Sequence, residues 1–340
     1  MESLRTTRNS TELVRVKRSP LGGLFMLDEV MQKPFKSVTE QVSILKSRGL
    51  TIKDEKAASR YLLFNNYYNV VNHFGKFFQD GSDCYISGAS FDEIRYLFQL
   101  DKEIKSLLFR ACLDIEKSLK SLTAYYYSEQ FRAPYSYLDQ NNYQNPENEY
   151  TQKCINKLQD LLQQYQDSGA DNAISHYVKN YGHVPLWVLT NVMDFGTINS
   201  LYKNMPFTVQ NHVAKCFSDG IFREYHTRVH LPPNYFWKFM YAIQELRNTC
   251  GHNNRLLNHN FKYSVPFISF LYSSDYERSL DRSHVYDIYL ATKLFLPKKQ
   301  FDDLTRAIKK RMRNYLKSRI KSIPCTVILD SLGFPSDWID

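Results

Sequence analysis

An all-α fold is what this sequence predicts, and three observations carry the prediction. Glycine and proline number only 12 each in 340 residues, too few for a turn-rich β architecture. Apolar residues recur at helical spacing along most of the chain, while the alternation of a half-buried strand is nowhere sustained. Helix-start signals stand where those periodic stretches begin.

The elements follow in order. Residues 1–30 carry Arg5, Arg8, Arg15, Lys17 and Arg18 without periodicity and read as a flexible basic arm. An N-terminal helical extension is expected over 31–90. There Ser37-x-x-Glu40 is a capping box, Val38, Val42 and Leu45 share a face, and Gly49 closes a helix over 37–48. Asp54 caps a second helix over 55–68. Tyr67, Tyr68, Phe74, Phe77 and Phe78 make an aromatic patch, which packs the extension onto the core or stacks on unpaired bases.

The core is expected over 91–265. Ser90-x-x-Glu93 opens one helix, and Asp101 is placed to cap the next, over 102–130, whose stripe runs Ile104, Leu107, Leu108, Ala111, Ile115, Leu119 and Leu122. Glu116 and Lys120, four apart on its polar side, either reach the active site from there or, as an i, i+4 pair of this kind usually does, stay a surface pair. A polar loop at 132–150 precedes helices near 151–167, 171–181, 185–204 and 206–217, and Pro232-Pro233 introduces one more. Residues 266–340 form a C-terminal basic region that packs on the core. In it "TRAIKKRMRNYLKSRIK", 305–321, has Arg306, Lys309, Lys310, Arg311, Arg313, Lys317, Arg319 and Lys321 with no acid inside the stretch. On one helix these cations make a positive rod that would bind RNA phosphates.

Composition narrows the function classes. The chain has 44 basic against 35 acidic residues, a net charge of +9, which favours a polyanionic partner. No apolar run approaches the roughly 18 residues of a membrane span, and the basic, polar start lacks a secretory segment, so a cytoplasmic protein without a membrane partner is expected. Six scattered cysteines form no C-x-x-C pair and read as reduced and mostly buried. His226 and His230 have the i, i+4 spacing of metal ligands but no third ligand, so neither a metal nor another cofactor is expected. Walker, dinucleotide-binding and nucleophile-elbow motifs are absent from the sequence.

The stretch "ELRNTCGHNNRLLNH", 245–259, is the candidate site. Phe236, Ile243, Leu246 and Cys250 trace a buried helix face, which sets Arg247 and Asn248 on its border, semi-buried. RNA supplies its own nucleophile, the ribose 2′-hydroxyl, so a cleaving site needs a proton carrier and a cation for the phosphate. His252 suits the first role, Arg247 the second, and Asn248 can orient the imidazole. The bland reading is that these polar groups satisfy the backbone at a helix end. Arg247 and His252 lie about 140° apart around a regular helix, so one helix does not converge them; a second copy can.

Arg247-Asn248-x-x-x-His252, followed by Arg255-Leu256 and Asn258, resembles the R-N-x-x-x-H signature of HEPN ribonucleases in the Abi-like family of bacterial abortive-infection proteins, the AbiD/AbiF group. "NNYYNVVNHF" at 65–74, "SFDEIRYLFQLDKEIKSLLFRACLDIEKSLKS" at 90–121, "VPLWVLTNVMDFGTINSLY" at 184–202 and "LGFPSDWI" at 332–339 look like that family's blocks in order, so the resemblance spans about 33–339. It implies a HEPN-type helical bundle that homodimerises around a composite site. Arg247 and His252 would be the catalytic pair and Asn248 its support, and RNA would be cut without metal to a 2′,3′-cyclic phosphate and a 5′-hydroxyl. It also implies a role in phage defence and a structured small noncoding RNA as partner, with Arg255 and the basic rod binding RNA. The rival expectation is a non-catalytic protein that uses the same fold to hold a small RNA. The chain departs from the family at Gly251, where relatives commonly have alanine, and at Asn191, where many have glutamate.

Overall fold

The computed structural model describes residues 34–168, 171–252, 254–272 and 281–340, together with the backbone of a short antiparallel ribbon, Val16–Arg18 with Leu24–Met26. The rest of the arm at 1–30 lies outside the described residues. What is described is otherwise an all-α protein.

Helix α1, Val38–Ser47, starts with the expected capping box, in which Ser37 and Glu40 satisfy each other's backbone N–H groups. Asp54 caps α2, Glu55–Asn65. The second helix stops three residues short of the expected end because Asn66 adopts φ +63°, a left-handed value that asparagine tolerates better than most residues. A π turn over Tyr68–Asn72 and a 3-10 turn over Gly75–Phe78 then fold the chain back. Phe74 and Phe78 are buried there and Tyr68 is exposed, so the aromatic patch serves mainly as packing.

The two helices expected on either side of Asp101 are a single 40-residue helix, α3, Phe91–Gln130, about 60 Å long at 1.5 Å per residue. Asp101 does not cap. No glycine or proline interrupts the stretch, and its carboxylate is buried in mid-helix, where it accepts the N–H of distant Leu256 and pairs with Lys105. At the start of α3, Glu93 closes the capping box with Ser90 and also accepts the backbone N–H groups of Lys321 and Ser322, which ties the C-terminal region to the spine.

Beyond the polar loop come α4, Glu149–Asp167, and α5, Ala173–Tyr181. The helix expected over 185–204 is divided into α6, Leu186–Leu189, a 3-10 turn over Thr190–Val192, and α7, Phe195–Asn204. Asp194 causes the break, because its side chain accepts from Thr197 N–H and starts a new helix. Helix α8, Phe207–Tyr225, outruns its expected end at 217, since Gly220 stays helical and His226 provides the left-handed C-cap. Helix α9, Pro233–Gly251, begins with proline at its first position. Then come α10, Val285–Ala291, α11, Lys298–Met312, a π turn over Arg313–Lys317, and α12, Cys325–Leu332.

The spine α3 packs against α9, α8 and α11, and α9 also receives α7 and α10. Buried Tyr202, Phe217, Phe236 and Phe295 join these helices with ring centroids 4.7–5.6 Å apart. At the chain's end Gly333 turns at φ +77° where a Cβ would collide with His284, and so lets Phe334 and Trp338 close over Tyr289. Of the cysteines only Cys112 and Cys154 are buried; Cys84 is exposed and the other three lie between.

Candidate active site

Helix α9 buries Phe236, Phe239, Met240, Ile243 and Leu246, and this stripe turns Arg247 and Asn248 to the edge of its packed face, half-buried as expected. The Arg247 guanidinium lies 5.8 Å from the ring centroid of Phe109 on α3. Its Nη1 donates to Asn248 Oδ1 at 3.2 Å. Its Nε stands 3.7 Å from Oε2 of Glu116, also on α3. That separation is too long for a hydrogen bond, and both atoms are buried without a hydrogen-bonding partner. The pair therefore keeps a donor and an acceptor in reserve beside the motif.

Glu116 is buried and is held by Lys120 at 2.8 Å, whose ammonium also donates to the Met193 carbonyl at 2.5 Å. The expected surface pair is thus an inward network of Lys120, Glu116 and Arg247. Sequence reasoning gave Glu116 little weight and did not single out Phe109. The signal was available in their spacing: residues 109, 116 and 120 fall on one face of a helix, at intervals of seven and four.

His252 ends the helix. Its N–H donates to the Asn248 carbonyl at 3.0 Å, its backbone is extended at φ −100° and ψ 172°, and the side chain is exposed. Among the described residues its ring has no hydrogen-bonding partner, Arg247 included. Asn248 touches both partners, accepting from Arg247 with its side chain and from His252 with its backbone.

The loop after the motif is pinned from three sides. Lys105 donates to the Asn254 carbonyl at 2.9 Å and pairs with Asp101 at 3.0 Å, and Asp101 accepts Leu256 N–H at 2.8 Å. Burial pushes the Asp101 carboxyl above its ordinary value, against the pull of Lys105 and the loop's N–H groups. Arg255 donates to the His73 carbonyl at 2.9 Å and so tethers the loop to the N-terminal extension. Asn258 N–H reaches the Ser331 carbonyl at 2.8 Å, at the end of α12.

The basic stretch runs along α11, the π turn and the four residues after it, and its cations are less free than the sequence alone implies. Arg306 pairs with Asp303 and Arg311 with Glu103 of α3. Arg313 donates to the carbonyls of Ile339 and Asp340, and Lys317 pairs with the Asp340 carboxylate at 2.6 Å. Lys309 lies over Trp338, Arg319 over Tyr96 and Tyr315, and Lys321 bonds the Lys317 carbonyl. Lys310 is exposed.

Two clefts flank the motif. One, about 550 Å³, opens at Cys250 and Gly251 and is lined across from them by residues of α2 and α3. The other, about 630 Å³, has Glu116 and Lys120 in its lining with Trp187 and Asn191 nearby. The departure at Asn191 therefore falls beside Glu116, and there Asn191 bonds the Trp187 and Val188 carbonyls.

A family profile described as Abi-like protein matches residues 60–258, which takes in the spine, the cleft residues and the whole motif. The chain belongs to the Abi-like protein family. No curated protein and no solved structure matches it. The matched span of this Abi-like chain ends at Asn258, so it leaves the basic stretch outside. Among the described residues of the Abi-like chain, no helix is long and apolar enough to cross a membrane. Nor do any three His, Cys, Asp or Glu residues cluster as metal ligands; His226 is the C-cap of α8 and His230 lies outside any helix, so their helical spacing is not realised.

Proposed function

We propose that this Abi-like protein is an endoribonuclease of a phage-defence system, with a HEPN-type core, acting as a homodimer and associated with a structured small noncoding RNA. The observation that carries the reading is Arg247, held against buried Glu116 and over Phe109 at the end of α9, with the unpartnered, exposed ring of His252 one turn further on. In the reaction, a base removes the proton of a ribose 2′-hydroxyl, the 2′ oxygen bonds to phosphorus, and the bond to the 5′ oxygen breaks with return of a proton to that oxygen. The products are a 2′,3′-cyclic phosphate and a 5′-hydroxyl. His252 carries the proton, and Arg247 binds the phosphoryl oxygens as their charge grows. Asn248 and Glu116 orient the guanidinium.

A second copy would bring another Arg247 and His252 to face these. Exposed Leu113, Tyr125 and Trp187 around the Glu116 cleft offer apolar surface for such docking. RNA would also lie along the exposed cations of the basic stretch, with Arg255 acting through the loop it tethers.

The test is to sequence the RNA that copurifies with the wild type and with His252→Ala, reading the chemistry of each 3′ end. Cyclic-phosphate ends confined to the wild type are expected. The same intact small RNA on both proteins would instead favour the non-catalytic RNA-binding reading.

A further inference from the structure

The cleft of about 550 Å³ beside Gly251 has the size of a ligand site, usually about 300–1,000 Å³, and, Phe109 apart, a lining the reaction above does not use. Phe64, the next-to-last residue of α2, stands on it with 81% of its surface exposed, and Phe98 and Phe109 of α3 contribute two more rings. Lys102 is exposed, with its ammonium 5.4 Å from the Phe98 ring centroid. Asn65 uses its amide N–H on the Tyr61 carbonyl and so presents its oxygen, whereas Asn66 uses its oxygen on Tyr68 N–H and so presents its amide donor. The π turn over Tyr68–Asn72, a distortion often found at functional sites, follows directly and places Asn69 on the same wall.

Resting on the ribonuclease reading, we infer that this cleft holds one unpaired nucleotide of the RNA next to the scissile phosphate. Phe64 stacks on the base, the acceptor of Asn65 and the donor of Asn66 read its edge, and Lys102 meets the adjoining phosphate. Three kinds of group needed for a single-stranded nucleotide converge here: an exposed ring for the base face, paired amides for its edge and a cation for the backbone. A base inside a duplex is stacked on both faces and cannot enter. Cys250 and Gly251, the two residues before His252, line the same cleft, so an occupant lies beside the end of the motif. The site thus directs cleavage to unpaired segments.

The experiment uses the full chain with His252→Ala to keep RNA intact, and measures binding of a short single-stranded oligoribonucleotide and of its duplex. Phe64→Ala and Lys102→Ala change exposed side chains, and thermal melting verifies their fold. Phe64→Ala is expected to weaken single-strand binding about ten-fold, with Phe64→Trp restoring it, while duplex binding stays unchanged. Lys102→Ala should weaken single-strand binding and flatten its salt dependence. Unchanged single-strand affinity in Phe64→Ala, or an equal loss for the duplex, overturns the cleft assignment alone. If the parent binds neither RNA, the ribonuclease reading falls first and the assignment with it.

Discussion

The loop that follows His252 hangs on a buried ion pair, and the strength of that pair can be worked out. Asp101 and Lys105 are 1% and 11% exposed at their side chains and 3.0 Å apart. Removing one partner of such a pair strands the other charge, at a cost of about 3–5 kcal/mol. Asp101→Asn keeps an acceptor for Leu256 N–H, and Lys105 retains the Asn254 carbonyl, so the lower end, about 3 kcal/mol, is expected. Lys105→Met leaves the carboxylate buried with only backbone donors and should cost at least as much. The double variant Asp101→Asn with Lys105→Met removes both charges, keeps the loop's acceptor and fills the volume, and should fall within about 1 kcal/mol of the wild type. Urea unfolding followed by circular dichroism measures all three, and the coupling should exceed about 2 kcal/mol. A pH series adds a sign. Asp101 titrates above its ordinary value of 3.8, so its stabilising contribution is complete below that value and is lost as pH rises through the raised folded value. In Lys105→Met the window widens upward, and the deficit should shrink on acidification from neutral pH. Additive single effects, or a deficit indifferent to pH, would refute the reasoning.

Glu116→Gln removes the charge that faces Arg247 while keeping its shape; single-turnover cleavage should slow about ten-fold, with RNA affinity preserved, and an unchanged rate would remove Glu116 from the site. Gly251→Ala introduces a Cβ 3.1 Å from Phe109 Cε2, but the helical backbone accepts alanine and the half-exposed ring can shift. Thermal melts should therefore show a gain of up to about 1 kcal/mol from helix propensity, and a loss of that size would mean the ring under Arg247 cannot move. Burial alone would raise the Glu93 carboxyl, yet the N–H groups of Lys321 and Ser322 and the Ser90 hydroxyl hold it below its ordinary 4.5. Stability from this anchor is present above 4.5 and lost as pH falls through the lower folded value. Protection of the Lys321 and Ser322 amides against hydrogen exchange, taken relative to the intrinsic rate at each pH, should fall in that acid range in the wild type, and at neutral pH in Glu93→Ala.

The sequence by itself determined the helical class and several of the helix starts, because their signals are local. The capping boxes at Ser37 and Ser90, the apolar stripe of α3 and the proline at the start of α9 act within a few residues of where they stand. It also located the motif and placed Arg247 and Asn248 at a buried border, since a 3.6-residue period fixes which face packs. What it misjudged depends on residues far away in the chain. Asp101 resembles a cap until Leu256, 155 positions on, claims its carboxylate. A run of cations looks unopposed until Glu103 and Asp340 come beside it. Only the tertiary structure decided that Glu116 faces Arg247, because that contact crosses from α3 to α9 over 131 positions, and no periodicity within one helix records which face of another it will meet.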